Sequence, residues 1–138
     1  MELEALVHEL AAVAFGTTPV SEGLVVAREV YDDVSDSREL QGWSLRFVGT
    51  FLALAGDVVE GRDLLEQARA IFTDLGNDEA RVALAFSTGP LELRSGDPVA
   101  AEREFRTALE LAQRMGDQGR MRVVTTNLGV CRYSCDGP

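Results

Sequence analysis

Glycine recurs along this chain at a fixed interval of 40 residues. Three series share the interval: Gly16, Gly56 and Gly96; Gly49, Gly89 and Gly129; and Gly76 with Gly116. The surrounding residues repeat as well, since the pair Gly56-Asp57 returns as Gly96-Asp97. A fixed period of this length predicts an array of similar supersecondary units that stack on one another.

Each unit is predicted to contain two helices. Between Asp57 and Leu75 the apolar residues fall three or four positions apart, which is the spacing of one helix face. Asp57 has the side chain of an N-cap, and Glu60 completes a capping-box pattern. Gly76 ends this helix, because glycine adopts the left-handed C-cap conformation at little cost. The later helices are predicted to be capped in the same way by Asn77, Asp97 and Asp117.

Together these signals predict seven helices and no strands. The helices span about 2–15, 19–34, 37–55, 58–75, 78–95, 98–115 and 118–134. The connections are short, so successive helices are expected to be antiparallel neighbours. Pro90 falls inside the fifth helix, where proline removes a hydrogen bond, and we expect a kink or break near Thr88–Pro90.

Small residues recur where the two helices of a hairpin must approach closely. The expected contact points are Gly49, Gly89 and Gly129 on first helices, and Gly61, Ala68, Ala101 and Ala108 on second helices. The larger residues expected to fill the space between hairpins are Leu52, Leu65, Phe72, Phe105 and Leu111. Trp43 is expected to pack in the core or between repeats.

This pattern resembles the tetratricopeptide repeat. The family's signature of small, aromatic and alanine positions is matched by Gly49, Leu52, Gly61, Leu65 and Ala68, and again by Gly89, Ala101, Phe105 and Ala108. The resemblance covers nearly the whole chain, although its period exceeds the usual unit of about 34 residues. It is similar to the long-helix variety found in bacterial multidomain regulators. It implies an all-α, right-handed superhelix of helix-turn-helix repeats that serves as a binding scaffold.

The single domain 1–138 is predicted to contain units at about 1–35, 36–76 and 77–116, followed by an extra helix at about 117–134. That helix corresponds to the first helix of a unit. A repeat array needs a polar helix at its end, so three interpretations stay open: the helix is a cap, the chain is a piece of a longer array, or the helix forms a homodimer. The apolar residues Val123, Val124, Leu128 and Val130 favour the last two interpretations.

Charge narrows the range of partners. The chain carries 13 basic and 23 acidic residues and a formal net charge of −10, which repels phosphate backbones and anionic lipids. Nucleic acids and membranes are therefore not expected partners. Every basic residue is arginine, which excludes lysine chemistry and indicates a GC-rich, bacterial gene. The acidic start at 1–4 is unlike a signal peptide, so a cytoplasmic setting is expected.

No combination of residues indicates catalysis. His8 is the single histidine and has no recognisable partner in the sequence. Cys131 and Cys135 share a helix face, and we expect two thiols that bind no metal and form no redox pair. Phosphate-binding and nucleophile motifs are missing. We therefore expect no enzyme activity, metal or cofactor.

In a right-handed superhelix the first helices line a concave groove, and the register of the glycines predicts its floor. The residues expected there are Leu6, Leu10, Val13, Arg46, Thr50, Ala53, Phe86, Pro90, Leu93, Arg94, Val130 and Tyr133. This groove is mostly apolar with two cations, and exposed apolar patches usually mark a contact surface. Two occupants stay open: an external helix or peptide, or a neighbouring segment such as this chain's own first helix.

These observations predict a protein-interaction module that docks a helix or peptide of unknown identity, or that associates with itself. Arg46 and Arg94 would orient an acidic group of the partner. Phe86, Leu93 and Tyr133 would supply apolar contact. The alternative is a sensor domain of a larger bacterial regulator, in which the same groove holds a small ligand or a signalling peptide.

Overall fold

The computed structural model describes residues 37–136, with side chains through Tyr133. These residues form five helices and no strand: α1 Arg38–Leu54, α2 Val58–Asp74, α3 Asp78–Arg94, α4 Pro98–Met115 and α5 Gln118–Asp136. The predicted all-helical fold is confirmed over this range. The helices predicted at about 2–15 and 19–34, together with the groove candidate Leu10, lie outside the described residues.

Local side-chain hydrogen bonds set where the helices begin. The Oδ1 of Asn77 accepts from the amide of Ala80 at 3.0 Å, and this bond starts α3. The same bond is made by the predicted caps of α2, α4 and α5, which are Asp57, Asp97 and Asp117. Ser37 caps α1 in the same way, with its Oγ 3.3 Å from the amide nitrogen of Leu40. Each of the first four helices is followed by a glycine with positive φ: Gly56, Gly76, Gly96 and Gly116.

The described residues divide after Leu75 into two compact units. In the first unit, α1 and α2 pack as a helical hairpin. In the second unit, α4 packs against both α3 and α5. Connections of two or three residues make these neighbours antiparallel, which is the arrangement of a helical-repeat protein. No helix in the range 37–136 is both long enough and apolar enough to cross a bilayer.

The two helices of the first hairpin are in close contact at glycine residues. A Cβ placed on Gly49 would lie 2.9 Å from the carbonyl oxygen of Gly61, so the two helix backbones touch at this point. Near the other end of α1, a Cβ on Gly42 would lie 2.6 Å from Cε1 of Phe72. Trp43 packs beside it, with its ring centroid 5.2 Å from that of Phe72. The predicted contact between Gly49 and Gly61 is therefore confirmed.

The second hairpin closes in a related way, but here glycine faces a ring. A Cβ on Gly89 would overlap the ring of Phe105, which is almost completely buried. The ring of Phe86 lies 5.9 Å from the same ring. The core of this unit combines residues of three helices: Val82 and Ala85 of α3; Ala101, Phe105, Ala108 and Leu111 of α4; and Val124, Leu128 and Cys131 of α5.

Phe72 and Phe105, expected between hairpins, contact glycines within their own hairpins, where a missing Cβ leaves room for a ring. Phe105 also packs with residues of α5, the helix that follows its hairpin. Two other sequence expectations need correction. Of the kink or break expected near Thr88–Pro90, the break does not occur, since α3 continues through Pro90 to Arg94. Pro90 is exposed, whereas its neighbours Gly89 and Leu91 are buried, so the proline lies on the solvent side of α3. Gly129, the third expected contact point, has no atom within 4 Å of a Cβ placed on it.

This difference among equivalent glycines gives a stability test. Gly89→Ala should destabilise the second unit, because overpacking costs about 1–3 kcal/mol and outweighs the ~1 kcal/mol that alanine gains over glycine in a helix. Gly129→Ala should gain up to about 1 kcal/mol, because nothing opposes the new methyl group. Urea unfolding of both variants measures the two effects, and equal shifts in the same direction would contradict this packing.

Candidate functional site

Helix α5 has a buried side and an exposed side. Val124, Leu128 and Cys131 are buried in the core of the second unit. The remaining described positions between 122 and 133, apart from the half-buried Asn127, are exposed. These exposed positions form the α5 outer face: Arg122, Val123, Thr125, Thr126, Gly129, Val130, Arg132 and Tyr133. Because α4 packs against the buried side, the outer face is open to a partner.

Large apolar side chains are exposed on this face in the body of a helix and not just near its ends. Val123, Val130 and Tyr133 are 51%, 52% and 64% exposed, and all three lie within the body of α5. The other exposed large apolar residues of the described chain are Leu54, Val59, Leu75, Val99 and Met115. Each of those five lies within two residues of a helix end. Among the described helices, α5 is therefore the one that exposes large apolar side chains along its length and not just near its ends.

The charge of α5 is opposite to that of the whole chain. Between positions 118 and 133 it carries Arg120, Arg122 and Arg132 and no acidic residue, whereas the chain has a net charge of −10. Arg132 Nε lies 3.5 Å from a carboxylate oxygen of Glu102 on α4. The pKa of that carboxyl is lowered, first by its hydrogen bond with Arg106 and also by Arg132. The outer face thus combines apolar and cationic groups.

Arg120 connects the beginnings of α3 and α5. Its Nη2 donates to Glu79 of α3 at 2.6 Å, and its Nη1 donates to Asp117, the N-cap of α5. The pKa of Asp117 is lowered, mainly by the hydrogen bond from the Arg120 backbone amide and then by the guanidinium. The pKa of Arg120 is raised, first by its hydrogen bond with Asp117 and then by the charge of Glu79. This ion-pair cluster links the first turn of α5 to the first turn of α3.

The groove residues predicted on α3 divide into two groups. Phe86 and Leu93 are partly buried against the core of the second unit, so much of their apolar surface is already used. Pro90 and Arg94 are exposed. Tyr133 of α5 is exposed as well. Of the predicted binding residues in this unit, Arg94 and Tyr133 are therefore the ones most open to a partner.

In the first unit, the position of Arg46 differs from the sequence expectation. This arginine was expected on the groove surface, but it is only 9% exposed. Its guanidinium carbon lies 5.2 Å from the ring centroid of Phe47 and 5.7 Å from that of Trp43, within cation–π range. Burial lowers its pKa to about 10. Thr50, also predicted there, is half-buried and donates its hydroxyl to the carbonyl of Arg46 at 2.7 Å.

Sequence reasoning did not select Arg122 and Arg132 as binding residues, although it included Val130 and Tyr133 in the groove. A signal was available in the 40-residue register. Position 122 corresponds to Val82, and position 126 corresponds to Phe86, both of which contact the core of the second unit. Both positions are polar in α5. This indicates that this side of α5 faces water, whereas the equivalent side of α3 packs against α4. Among the described residues, no cluster of His, Cys, Asp and Glu could hold a metal ion.

The lowered pKa of Asp117 predicts a pH dependence. A carboxyl whose folded-state pKa is lowered stabilises the fold above its unfolded-state pKa, and this contribution disappears as the pH falls through the folded-state value. Asp117→Asn keeps an N-cap but removes the charge. The variant should therefore lose more stability at about pH 7 than at about pH 3, as measured by urea unfolding at both values. A penalty independent of pH would show that the charge of Asp117 contributes nothing.

No protein-family model matches this chain, and no curated protein or solved structure matches it. The resemblance to the tetratricopeptide repeat therefore rests on the residues of this chain: the 40-residue glycine series and the small and aromatic positions that accompany it.

Proposed function

We propose that this chain is a tetratricopeptide-like module that binds a helix or peptide of another protein and performs no chemistry of its own. The observation that carries the proposal is the exposed stripe of Val123, Val130 and Tyr133 within the body of α5. Soluble proteins rarely keep apolar side chains in a row along a helix unless a partner covers them. Tyrosine suits such a surface, because it offers a large ring and a polar hydroxyl with few rotamers to restrict.

The role of the groove residues follows from their exposure. Arg94 and Tyr133 are the members of the predicted set that can contact a partner directly. Phe86 and Leu93 contribute indirectly, because they pack on the core of the second unit and hold α3 in place. Arg46 is buried against Trp43 and Phe47, so it supports the first hairpin in this proposal and does not orient the partner.

A binding experiment with surface variants tests this function. Helical peptides are first selected from a display library on the wild-type chain. The variant Val130→Ser with Tyr133→Ser should weaken the selected peptides by about tenfold or more, because each lost apolar side chain contributes on the order of 1 kcal/mol when covered. Fluorescence anisotropy with labelled peptides measures the change.

The matched control is Val59→Ser with Val99→Ser, which removes apolar groups that are also exposed but lie at helix starts. This control should bind the selected peptides as the wild type does. The proposal fails if no peptide is selected, or if the control weakens binding as much as the α5 variant does.

A further inference from the structure

Gly129 occupies the position that closes the helical hairpins elsewhere in the chain. Its equivalents 80 and 40 residues earlier are Gly49 and Gly89. Gly49 touches the backbone of α2 at Gly61, and Gly89 touches the ring of Phe105 in α4. Gly129 has the same place in α5, yet a Cβ placed on it would meet no atom of another helix within 4 Å. The side of α5 that contains Gly129 therefore has the register of a first helix that accepts a second one.

The residues around Gly129 can be covered at little cost. Thr125 and Thr126 are exposed beside it, and their hydroxyls already donate to the carbonyls of Met121 and Arg122 at 2.7 and 3.0 Å. Burying these side chains leaves no unpaired hydroxyl, which is the usual penalty for covering a polar group. A helix lying over Gly129 would thus replace water without breaking a hydrogen bond.

The charge of the α5 outer face determines which kind of helix fits over Gly129. Arg122 and Arg132 lie on either side of Gly129 along the helix, and both are exposed. Acidic side chains on the partner would pair with them and would be attracted from a distance. A second copy of α5 fits less well than an acidic helix, because each copy would bring arginines to the interface and, between positions 118 and 133, no carboxylate to pair with them. The homodimer considered from the sequence is therefore disfavoured by the charge of this surface.

The two hairpins of the described chain also indicate which side chain a partner helix would place opposite Gly129. Opposite Gly49 lies the side chain of Leu65, with its Cγ 3.1 Å from the position of a Cβ. Opposite Gly89 lies the ring of Phe105. A glycine on one helix is thus matched by a leucine or phenylalanine on the other, followed in both cases by an alanine three residues later, Ala68 or Ala108.

We infer that the α5 outer face binds one acidic amphipathic helix of a partner protein, in the position that a second helix takes in the other hairpins. A leucine or aromatic side chain of that helix contacts Gly129, its flank covers Val130 and Tyr133, and its carboxylates pair with Arg122 and Arg132. This inference rests on the proposed function and names the partner's chemistry and its place on α5.

Two peptides derived from α4 provide the probes. The native sequence Pro98–Met115 carries three arginines and three glutamates and has no net charge. The acidic probe is the same sequence with Arg103, Arg106 and Arg114 replaced by glutamate. Both keep Phe105 and Ala108, so they present the same apolar side chains and carry different charges. The acidic probe should bind the wild-type chain at least about tenfold more tightly, and this advantage should shrink at high salt.

Variants of the full chain locate the binding site. Gly129→Leu fills the contact point, and because that space is open, the folded chain should be at least as resistant to urea as the wild type. This variant and Arg122→Glu should each weaken the acidic probe by roughly tenfold. The matched controls are Thr107→Leu and Arg103→Glu, which make the same kinds of change at exposed positions of α4. Both controls should leave the affinity unchanged.

Three results would overturn the inference. Equal binding of the two probes would show that charge does not select the partner. An unchanged affinity for Gly129→Leu would show that the helix does not lie in the hairpin position. Dimers of the wild-type chain that Gly129→Leu disperses, seen by light scattering, would identify the occupant as a second copy. If library-selected peptides still depended on Val130 and Tyr133 in any of these cases, the proposed binding function would stand without this inference.

Discussion

The absence of a Cβ at one point of each hairpin determines how closely its helices pack. At Gly49 the backbones of α1 and α2 come into contact, and at Gly89 the ring of Phe105 occupies the space that a side chain would take. Once the distance at that point is set, the remaining contacts follow from helical spacing. Leu65 and Ala68 in one hairpin, and Ala101 and Ala108 in the other, become buried because they lie on the facing sides of their helices.

Helix α5 inherits the same register but meets no partner on that side among the described residues. Its buried side, formed by Val124, Leu128 and Cys131, completes the core of the second unit. Its outer face keeps the small residue at position 129 and carries arginines and exposed apolar groups around it. The physical consequence is a helix that packs on the core with one side and exposes the other side to solvent. The proposed binding of a partner helix would extend the packing rule that forms the hairpins themselves.

Much of this fold could be predicted, because its signals are local. Asp57 and Asn77 cap helices through their own backbone neighbours, and the spacing of the glycines requires no tertiary information. The site was less predictable. Arg46 was expected at the surface, but its burial depends on how Trp43 and Phe47 pack around it. Gly129 was expected in a contact, and only the structure shows that its space is empty.

Amide resonances of the three equivalent glycines report on whether a helix binds over Gly129. In one spectrum of the isotope-labelled chain, Gly49 and Gly89 report on closed hairpins and Gly129 reports on the open position. On titration with the acidic α4-derived peptide, helix binding over Gly129 predicts that the resonances of Gly129 and its neighbours on the α5 outer face shift, while those of Gly49 and Gly89 remain in place. Shifts confined to the surroundings of Pro90 and Arg94, or to the two closed hairpins, with Gly129 unchanged, would contradict it.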